Sequence, residues 1–241
     1  MAMLQVEAVD TFRGPAHVLN GVSLSVGEQE VVCLVGRNGA GKTTTIESIN
    51  GLLPVRSGTI RFRGEDISRL PAHRRAQRGI GYAPEGAHIF PDLTVSENLT
   101  ISRWLSEKRL RAAGESAAAD VDDRVFSVFP EVRALLARRG LNLSGGQKKM
   151  VAIARAMALS PFLLLLDEAF EGLAPAVVGR FRDAVIKIKQ MGVSILIAES
   201  NLVNAAAVAD RLYAIDRGEI IFEGVPQAVF DDAEVIKTIR G

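Results

Sequence analysis

The 241-residue chain has few of the residues that build disulfides or metal sites. Its one cysteine, Cys33, lies in an apolar run, so we expect a core thiol and a reducing compartment rather than a disulfide framework. The three histidines have no metal-ligand spacing, and we expect surface or loop positions for His17, His73 and His88. A formal net charge of +1 argues against a protein that binds nucleic acid through a broad basic field.

Long apolar runs are also absent. No run approaches the roughly 20 residues that a helix needs to span a bilayer. The first residues, 1–7, lack the basic segment followed by an apolar one that is typical of a secretory leader, so we expect none. Any membrane role therefore depends on a partner. Hydrophobic residues make up 48% of the chain, which allows a substantial core, and the length predicts one large domain or one domain with a small insert.

The apolar pattern alternates between strands and helices. Strands are predicted at 4–9, 18–26, 30–35, 59–63, 80–83, 162–167, 193–198, 211–216 and 219–222. Helices are predicted at 42–52, 95–105, 144–159 and 233–240, and an alanine-rich stretch, 111–120, leads into another helix that ends near residue 130. Right-handed crossovers would place the central strands parallel, which predicts an α/β fold.

Residues 36–44 fit the phosphate-binding pattern G-x-x-x-x-G-K-[ST], between a predicted strand and a predicted helix. Gly39 and Gly41 let the backbone wrap a triphosphate, so that successive N–H groups form a nest for anionic oxygens. We expect Lys42 to reach the β- and γ-phosphates and the Thr43 hydroxyl to hold Mg²⁺. The predicted nucleotide-binding residues of this loop are Gly36, Arg37, Asn38, Gly39, Ala40, Gly41, Lys42, Thr43 and Thr44.

A second segment provides carboxylates. Pro161 breaks the preceding helix, and the apolar residues 162–166 then predict a buried strand. Asp167 follows at the C-terminal end of this strand, where ligands bind in open α/β sheets. Together with the upstream loop, this pattern resembles a Walker B motif in which Asp167 holds Mg²⁺ through water, with Glu168 next to it.

The segment 143–147 predicts a second anion site. Ser144 and Gln147 match a capping box that opens the helix 144–159, whose start also carries Lys148 and Lys149. A helix N-terminus with two glycines can bind an anion. Because the loop at 36–44 already serves one phosphate group, a second such site implies a second phosphate position.

In this order, the three strings resemble the ATP-binding cassette (ABC) family. The resemblance implies a P-loop NTPase fold of the ABC type, with a mixed sheet, an N-terminal antiparallel β subdomain and an inserted helical subdomain. It divides the single domain 1–241 into a RecA-like core with the β subdomain (1–90 and 144–241) and a helical signature subdomain (91–143). It also implies that Glu168 polarises the attacking water, with ATP and Mg²⁺ as cofactors. The signature residues, which would contact ATP held by an opposing subunit, are Leu143, Ser144, Gly145, Gly146 and Gln147.

A finer resemblance covers the whole chain. Residues 83–99, with Pro84-Glu85-Gly86 near their start, and residues 171–175 look like the ATP-binding subunit of branched-chain amino acid importers and their relatives. Such importers imply a second, different ATPase subunit, two transmembrane permease subunits and, indirectly, a solute-binding protein, without nucleic acid. They imply a peripheral position on the cytoplasmic face of the inner membrane. Related importers carry amides, urea or aromatic acids, so the transported solute stays open.

Several positions depart from the common ABC pattern. Glu85 replaces the usual glutamine, and we retain it as a catalytic and Mg²⁺-binding candidate. Ser200 replaces the switch histidine that contacts the γ-phosphate, and it is the third catalytic candidate beside Glu168 and Glu85. The candidates for the contact with adenine are Phe12, Arg13 and Val18. Arginine is included because it can also stack on a base. Two further departures follow the second carboxylate, at Ala169 and Ala174.

Three alternatives remain at this point. The stretch 74–82 also suggests an ATPase of lipopolysaccharide export, a homodimer that would be expected to keep the switch histidine. A soluble ABC ATPase of DNA repair, translation or iron–sulfur assembly is a different class. The interval between the two Walker motifs is too short and too poor in heptads for the coiled coil of the repair type, and translation types carry two cassettes. The last alternative is a nucleotide-binding subunit that never hydrolyses.

Overall fold

The computed structural model describes residues 2–112 and 119–240. The strands are β1 (Ala2–Arg13), β2 (Ala16–Gly27), β3 (Val31–Val35), β4 (Val55–Phe62), β5 (Glu65–Asp66), β6 (Ile80–Ala83), β7 (Leu163–Asp167), β8 (Ser194–Glu199), β9 (Arg211–Asp216) and β10 (Glu219–Gly224). The helices are α1 (Lys42–Asn50), α2 (Ala72–Gln77), α3 (Val95–Ala112), α4 (Ala119–Val128), α5 (Pro130–Arg133), α6 (Gly145–Met157), α7 (Pro175–Gln190), α8 (Leu202–Ala206), α9 (Pro226–Asp231) and α10 (Ala233–Arg240).

The first sheet is antiparallel and has the order β2-β1-β4-β5. Apolar residues alternate along β2, so that Val22, Leu24 and Val26 face the core while the residues between them do not. The first strand is longer than the predicted 4–9 because it passes through bulges, and Ala8 has a φ of 46° within it. A bulge interrupts the alternation without ending the strand, so the pattern underestimates its length.

The second sheet has the order β10-β9-β3-β8-β7-β6 and is mixed. Its inner strands are parallel, and only β10 pairs antiparallel, with β9. Because β3, β8 and β7 are parallel neighbours, their C-terminal ends meet at one edge, where ligands bind in open α/β sheets. The phosphate-binding loop, Glu199 and Asp167 are thereby brought together.

Two apolar cores cover the two faces of this mixed sheet. Along β3 the residues alternate between them: Val31, Cys33 and Val35 belong to one core, whereas Val32 and Leu34 belong to the other. The first core also contains residues from α3 to α7, and the second contains the inner face of the antiparallel sheet and α1. Cys33 is fully buried in the first core, as predicted.

Helices α3, α4 and α5 lie between β6 and the signature helix α6 in the chain. The predicted capping box at the start of α3 is present, since Thr94 Oγ1 accepts from the Glu97 N–H at 3.2 Å and the Glu97 carboxylate accepts from Thr94. Helix α3 extends to Ala112, further than predicted, and α4 ends at Val128. Residues 113–118 of the alanine-rich stretch lie outside the described residues. The α/β class, the mixed sheet, the antiparallel sheet and the inserted helices agree with the predicted fold.

The basic segment 69–78 contains one buried arginine. Arg75 is 1% exposed, and its guanidinium donates to the carbonyl oxygens of Ser48 and Ile49 at 2.8 Å, of Leu70 at 2.8 Å and of Ser68 at 3.0 Å. The first two carbonyls belong to the last turn of α1, beyond which the helix cannot continue its own hydrogen bonds, and that of Ser48 also accepts from the Gly51 N–H at 3.2 Å. Arg75 therefore caps the helix that follows the phosphate-binding loop.

Candidate active site

The phosphate-binding loop joins β3 to α1 through backbone conformations that need glycine. Gly39 and Gly41 have φ values of 82° and 118°, in the left-handed region, and Gly41 directly precedes the first residue of α1. Gly36 has a different role, because a Cβ there would lie 2.4 Å from the carbonyl oxygen of Ile215. The loop thus packs closely against the end of β9 and opens toward the cleft at the sheet edge.

Lys42 extends its side chain into the loop and is almost entirely buried. Its Nζ donates to the carbonyl oxygens of Gly36 at 2.9 Å and Arg37 at 3.1 Å, and it lies 3.1 Å from Glu168 Oε1. The two side chains of this ion pair are 4% and 7% exposed. A carboxylate therefore stands beside the one ammonium group that the sequence assigns to the phosphates.

Asp167 and Thr43 form the candidate Mg²⁺ site. The Thr43 hydroxyl donates to Asp167 Oδ1 at 3.1 Å, while Asp167 Oδ2 is buried without a hydrogen-bond partner. Burial raises the Asp167 pKa from 3.8 to about 6, with a smaller contribution from the negative charge of Glu168. An unpaired oxygen beside a hydroxyl fits a hard cation that takes its other ligands from phosphate and water. Among the described residues, no three His, Cys, Asp or Glu side chains could hold a metal by themselves.

Glu168 is fixed by several contacts. Its φ is 47°, rare for a residue with a side chain, and its N–H donates to Ala198 at 2.9 Å. Ser200 holds the carboxylate, since its N–H donates to Oε2 at 3.0 Å and its hydroxyl to Oε1 at 2.6 Å. The same hydroxyl lies 2.9 Å from Asn38 Oδ1 in the phosphate-binding loop. Ser200 therefore connects the candidate general base to this loop.

Glu199 is a buried carboxylate that the sequence interpretation missed. Its oxygens accept from the N–H of Asn201 at 2.9 Å and, more weakly, from that of Phe170 at 3.4 Å. Burial raises the pKa of Glu199 to about 7, and the nearby Glu168 contributes in the same direction. One signal was available: like Asp167, Glu199 is an acidic residue at the end of a buried strand.

The candidate nucleotide cleft has a volume of about 430 Å³ and is lined by ten of the predicted site residues. Its lining contains Arg13 and Val18, residues of the phosphate-binding loop, and the carboxylates of Glu85, Glu168 and Glu171, of which Glu171 had not been predicted. The pKa of Glu171 is raised by burial and by the charges of Glu168 and Glu85. The cleft is thus rich in carboxylates on the side where the cation is expected.

Phe12 does not line this cleft. Its ring stacks on His17, with centroids 4.3 Å apart and planes 1° from parallel. Phe12 lines a separate cleft that shares Arg13 with the nucleotide cleft. Arg13 lines both clefts, and its guanidinium donates to Thr44 Oγ1 at 3.0 Å and pairs with Glu47. Of the three adenine-contact candidates, the structure therefore places Arg13 and Val18, but not Phe12, at the nucleotide cleft.

The signature residues lie apart from that cleft. At the start of α6 the predicted capping box is present: Ser144 Oγ accepts from the Gln147 N–H at 3.3 Å, and Gln147 Oε1 accepts from the Ser144 N–H at 3.0 Å. Ser144 and Gly145 are exposed, whereas Leu143 is buried. None of the signature residues lines the cleft with Lys42, so in the described structure this helix end does not face the chain's own nucleotide site.

Lys149, in the second turn of α6, reaches back toward the site. Its Nζ donates to the carbonyl oxygens of Glu168 and Glu171, each at 2.6 Å. Burial lowers the Lys149 pKa, while the surrounding charges of Glu171, Glu199, Glu85 and Glu168 act in the opposite direction. The sequence showed a basic start of this helix but gave no indication of these contacts.

These features define a nucleoside-triphosphate-binding protein of the P-loop class, with a loop lysine, an aspartate at the candidate Mg²⁺ site and an adjacent glutamate. The sequence model of the ABC transporter family matches residues 19–171, and the chain belongs to that family. It is the ATP-binding subunit of a transporter and an ATPase. In this family the ATPase works with transmembrane permease components. Within residues 2–112 and 119–240, none of the helices combines the length and apolar character needed to cross a bilayer.

Two relatives and one solved structure illustrate the similarity. The lipopolysaccharide export system ATP-binding protein LptB of Haemophilus influenzae is 39% identical over 241 residues, which cover 100% of this chain and 98% of LptB. The high-affinity branched-chain amino acid transport ATP-binding protein BraG of Pseudomonas aeruginosa is 33% identical over 97% of each chain. A crystal structure of the ADP conformation of an ABC transporter ATP-binding cassette has a TM-score of 0.83 and 28% identity, covering 100% of this chain and 99% of the other.

Proposed function

We propose that this chain is one of two different ATPase subunits that energise import of a branched-chain amino acid or a related small solute, such as an amide, urea or an aromatic acid. The proposal rests mainly on Ser200, whose hydroxyl lies 2.6 Å from Glu168 Oε1 in the switch position. A serine cannot become cationic as a histidine does, and it is shorter. An assembly that keeps one full switch histidine would then need a second, different cassette. The similarity to BraG supports the solute class.

The site residues have separate roles in this proposal. The backbone N–H groups of residues 36–44 and the ammonium of Lys42 bind the phosphates. Thr43 and Asp167 hold Mg²⁺, with Glu85 in reach of the same cleft, and the cation neutralises phosphate charge when bound. Glu168 accepts a proton from the attacking water, while Ser200 keeps its carboxylate oriented.

The other residues complete a site that two subunits share. Arg13 and Val18 border the end of the cleft that would receive adenine, with Phe12 stacked on His17 nearby. The signature residues 143–147 are directed to ATP in the opposing subunit, because they do not line this chain's own cleft. Such an assembly places the chain peripherally on the cytoplasmic face of the inner membrane, against two permease subunits that receive solute from a binding protein.

The test is reconstitution of the complete assembly. The chain, a partner cassette and two permease subunits of importer type are placed in proteoliposomes with the binding protein, and uptake of labelled leucine is measured with and without ATP. We expect ATP-dependent uptake that is lost when Lys42→Ala replaces the wild-type chain. An assembly that forms and hydrolyses ATP, yet takes up neither leucine nor the related amides and aromatic acids, would contradict the importer assignment.

Lipopolysaccharide export is the second candidate, and one observation favours it: LptB of Haemophilus influenzae is 39% identical over the whole chain. The two candidates differ in their subunit requirement. An export ATPase should support growth of cells depleted of LptB as a single cassette, whereas an importer subunit should require a different partner cassette. The matched control is the same depletion strain carrying Lys42→Ala. Rescue by the wild-type chain alone would favour export over import.

A further inference from the structure

Lys149 connects two parts of the chain that the proposed mechanism treats separately. It lies in the second turn of α6, five residues after the helix cap Ser144. Its ammonium bridges the carbonyl oxygens of Glu168 and Glu171 at 2.6 Å each. Both bonds are charge-assisted, which makes them short and stronger than bonds between neutral groups. The start of the signature helix is therefore anchored to the turn that carries the candidate general base.

The anchored turn has an unfavourable backbone conformation. Glu168 is a non-glycine residue with a φ of 47°, a conformation that persists only where the surroundings hold it. The N–H of Glu168 bonds to Ala198, and its carbonyl oxygen accepts from the Glu171 N–H at 3.3 Å as well as from Lys149. Lys149 thus supplies the shorter of two bonds on the carbonyl that sets the direction of this peptide.

A second contact joins the same two segments. A Cβ placed on Gly146 would lie 3.7 Å from Leu173 Cδ2 and 3.8 Å from Val177 Cγ1, at ordinary van der Waals distance. The signature glycine therefore rests on the segment that follows Glu171. A displacement of the first turns of α6 would be transmitted to this segment through packing at Gly146 and through the ammonium at Lys149.

We propose that Lys149 is a positioning residue that couples the chain's own signature segment to its own Glu168. This inference rests on the proposed function in one respect, namely that the signature segment contacts ATP in the opposing subunit. Occupancy of that opposing site then fixes α6, and α6 fixes the peptide of Glu168 through Lys149. The two composite sites of the assembly become linked within one chain, without a contact between the two nucleotides.

The contacts at position 149 require a long, positively charged side chain. The side chain has to satisfy two carbonyl oxygens at once, and it does so in a region where the charges of Glu85, Glu168, Glu171 and Glu199 all act on it. A neutral side chain of similar length fills the space but leaves both carbonyls without the ammonium. Arginine keeps the charge and can donate to two acceptors.

The experiment compares three variants of the full chain, each assembled with the wild-type partner cassette and supplied with ATP alone. Lys149→Met removes the ammonium, Lys149→Arg is the conservative replacement, and Lys148→Met removes the same charge one residue earlier and serves as the control. The dissociation constant for ATP, kcat, KM and the thermal midpoint are measured for each. Lys149→Gln is a second neutral variant, for use if the methionine variant does not fold.

We expect Lys149→Met to lower kcat about 10- to 100-fold, because misplacement of a catalytic group by about 1 Å has effects of this size. The dissociation constant for ATP should stay within twofold, since the phosphate contacts of Lys42 do not involve Lys149. Lys149→Arg should recover most of kcat, and Lys148→Met should resemble the wild type. Equal behaviour of Lys149→Met and Lys148→Met, or a loss of ATP binding as large as the loss of kcat, would overturn the assignment.

Coupling to the signature segment is tested in the same two-cassette assembly by a double-mutant cycle with Ser144→Ala. If Lys149 transmits the state of the signature segment, the double variant should lose at least fivefold less activity than the product of the two single losses. Strictly multiplicative losses would overturn the coupling. The cycle uses neither permease nor solute, so a failed uptake experiment and a failed cycle are separate results.

Discussion

Replacing Glu168 by glutamine should tighten ATP binding while it slows hydrolysis, because Glu168 has two roles that glutamine separates. In the structure, its carboxylate pairs with Lys42 at 3.1 Å, in a site where both side chains are less than a tenth exposed. The phosphates must compete with this carboxylate for the ammonium. With ATP bound, the same carboxylate is the candidate general base.

The magnitude follows from the contacts. Glu168 Oε2 accepts from the Ser200 N–H, and Oε1 accepts from the Ser200 hydroxyl and faces Lys42. A glutamine amide has one acceptor oxygen, so at least one of these donors loses its partner, at about 1–3 kcal/mol in the nucleotide-free state. If half of this cost is relieved when the phosphates engage Lys42, ATP affinity rises by about two- to tenfold, since 1.4 kcal/mol corresponds to a factor of ten. Hydrolysis should fall by about 10²- to 10⁴-fold.

Isothermal titration with ATP and single-turnover hydrolysis measure the two effects, and thermal unfolding without nucleotide should show a lowered midpoint. Glu171→Gln is the control, since it removes a carboxylate from the same cleft without breaking the ion pair of Lys42. An unchanged single-turnover rate in Glu168→Gln would refute the general-base role. Weaker ATP binding in that variant, compared with Glu171→Gln, would refute the competition between carboxylate and phosphate.

Three further variants test other parts of the site. Gly36→Ala would place a Cβ 2.4 Å from the carbonyl oxygen of Ile215, so unfolding by denaturant should show a loss of about 1–3 kcal/mol, and wild-type stability would contradict the close packing. Asp167 has a pKa raised from 3.8 to about 6, so its protonated form favours the folded state, and nucleotide-free stability should fall as pH rises from about 4 to about 6. Asp167→Asn should remove this pH dependence. Above pH 6 its free energy of unfolding should exceed that of the wild type by at most about 3 kcal/mol, while Mg²⁺-dependent turnover is lost. An unaltered pH profile would count against the raised pKa. Ser144→Arg should abolish turnover in the assembled transporter but leave ATP binding to the isolated chain intact, and full transport activity in that variant would remove the signature from the shared site.

The sequence predicted the elements that contain apolar runs, and it missed contacts made by single side chains across the fold. The strands around 31–35 and 163–167 could be predicted because each is a short, fully buried run, and residues 36–44 fit a pattern whose glycines have steric reasons. Residues 55–58 of β4 were missed because an exposed, interrupted edge carries no alternation. The predicted β1 was too short because the bulge at Ala8 also interrupts the alternation.

The candidate site was predictable where the residues belong to sequence motifs, and unpredictable where they do not. Asp167 and Thr43 were paired through their motifs, and the structure joins them at 3.1 Å. Glu199 and Lys149 had no motif, since their importance comes from hydrogen bonds to backbone groups brought close only by the sheet order and by α6. Phe12 was a reasonable aromatic candidate, but its ring stacks on His17 instead of lining the nucleotide cleft. No local pattern reports a stacking partner five residues away.

The buried guanidinium of Arg75 has a consequence for the opposite end of α1. A helix carries partial negative charge at its C-terminus and partial positive charge at its N-terminus. Arg75 places a full positive charge on the C-terminal carbonyls of Ser48 and Ile49, about 10 Å along the axis from Lys42. The negative pole is thereby neutralised locally, and the positive pole that faces the phosphates acts with little opposition. A selection for altered nucleotide affinity should therefore recover substitutions at Arg75, a residue that does not line the nucleotide cleft.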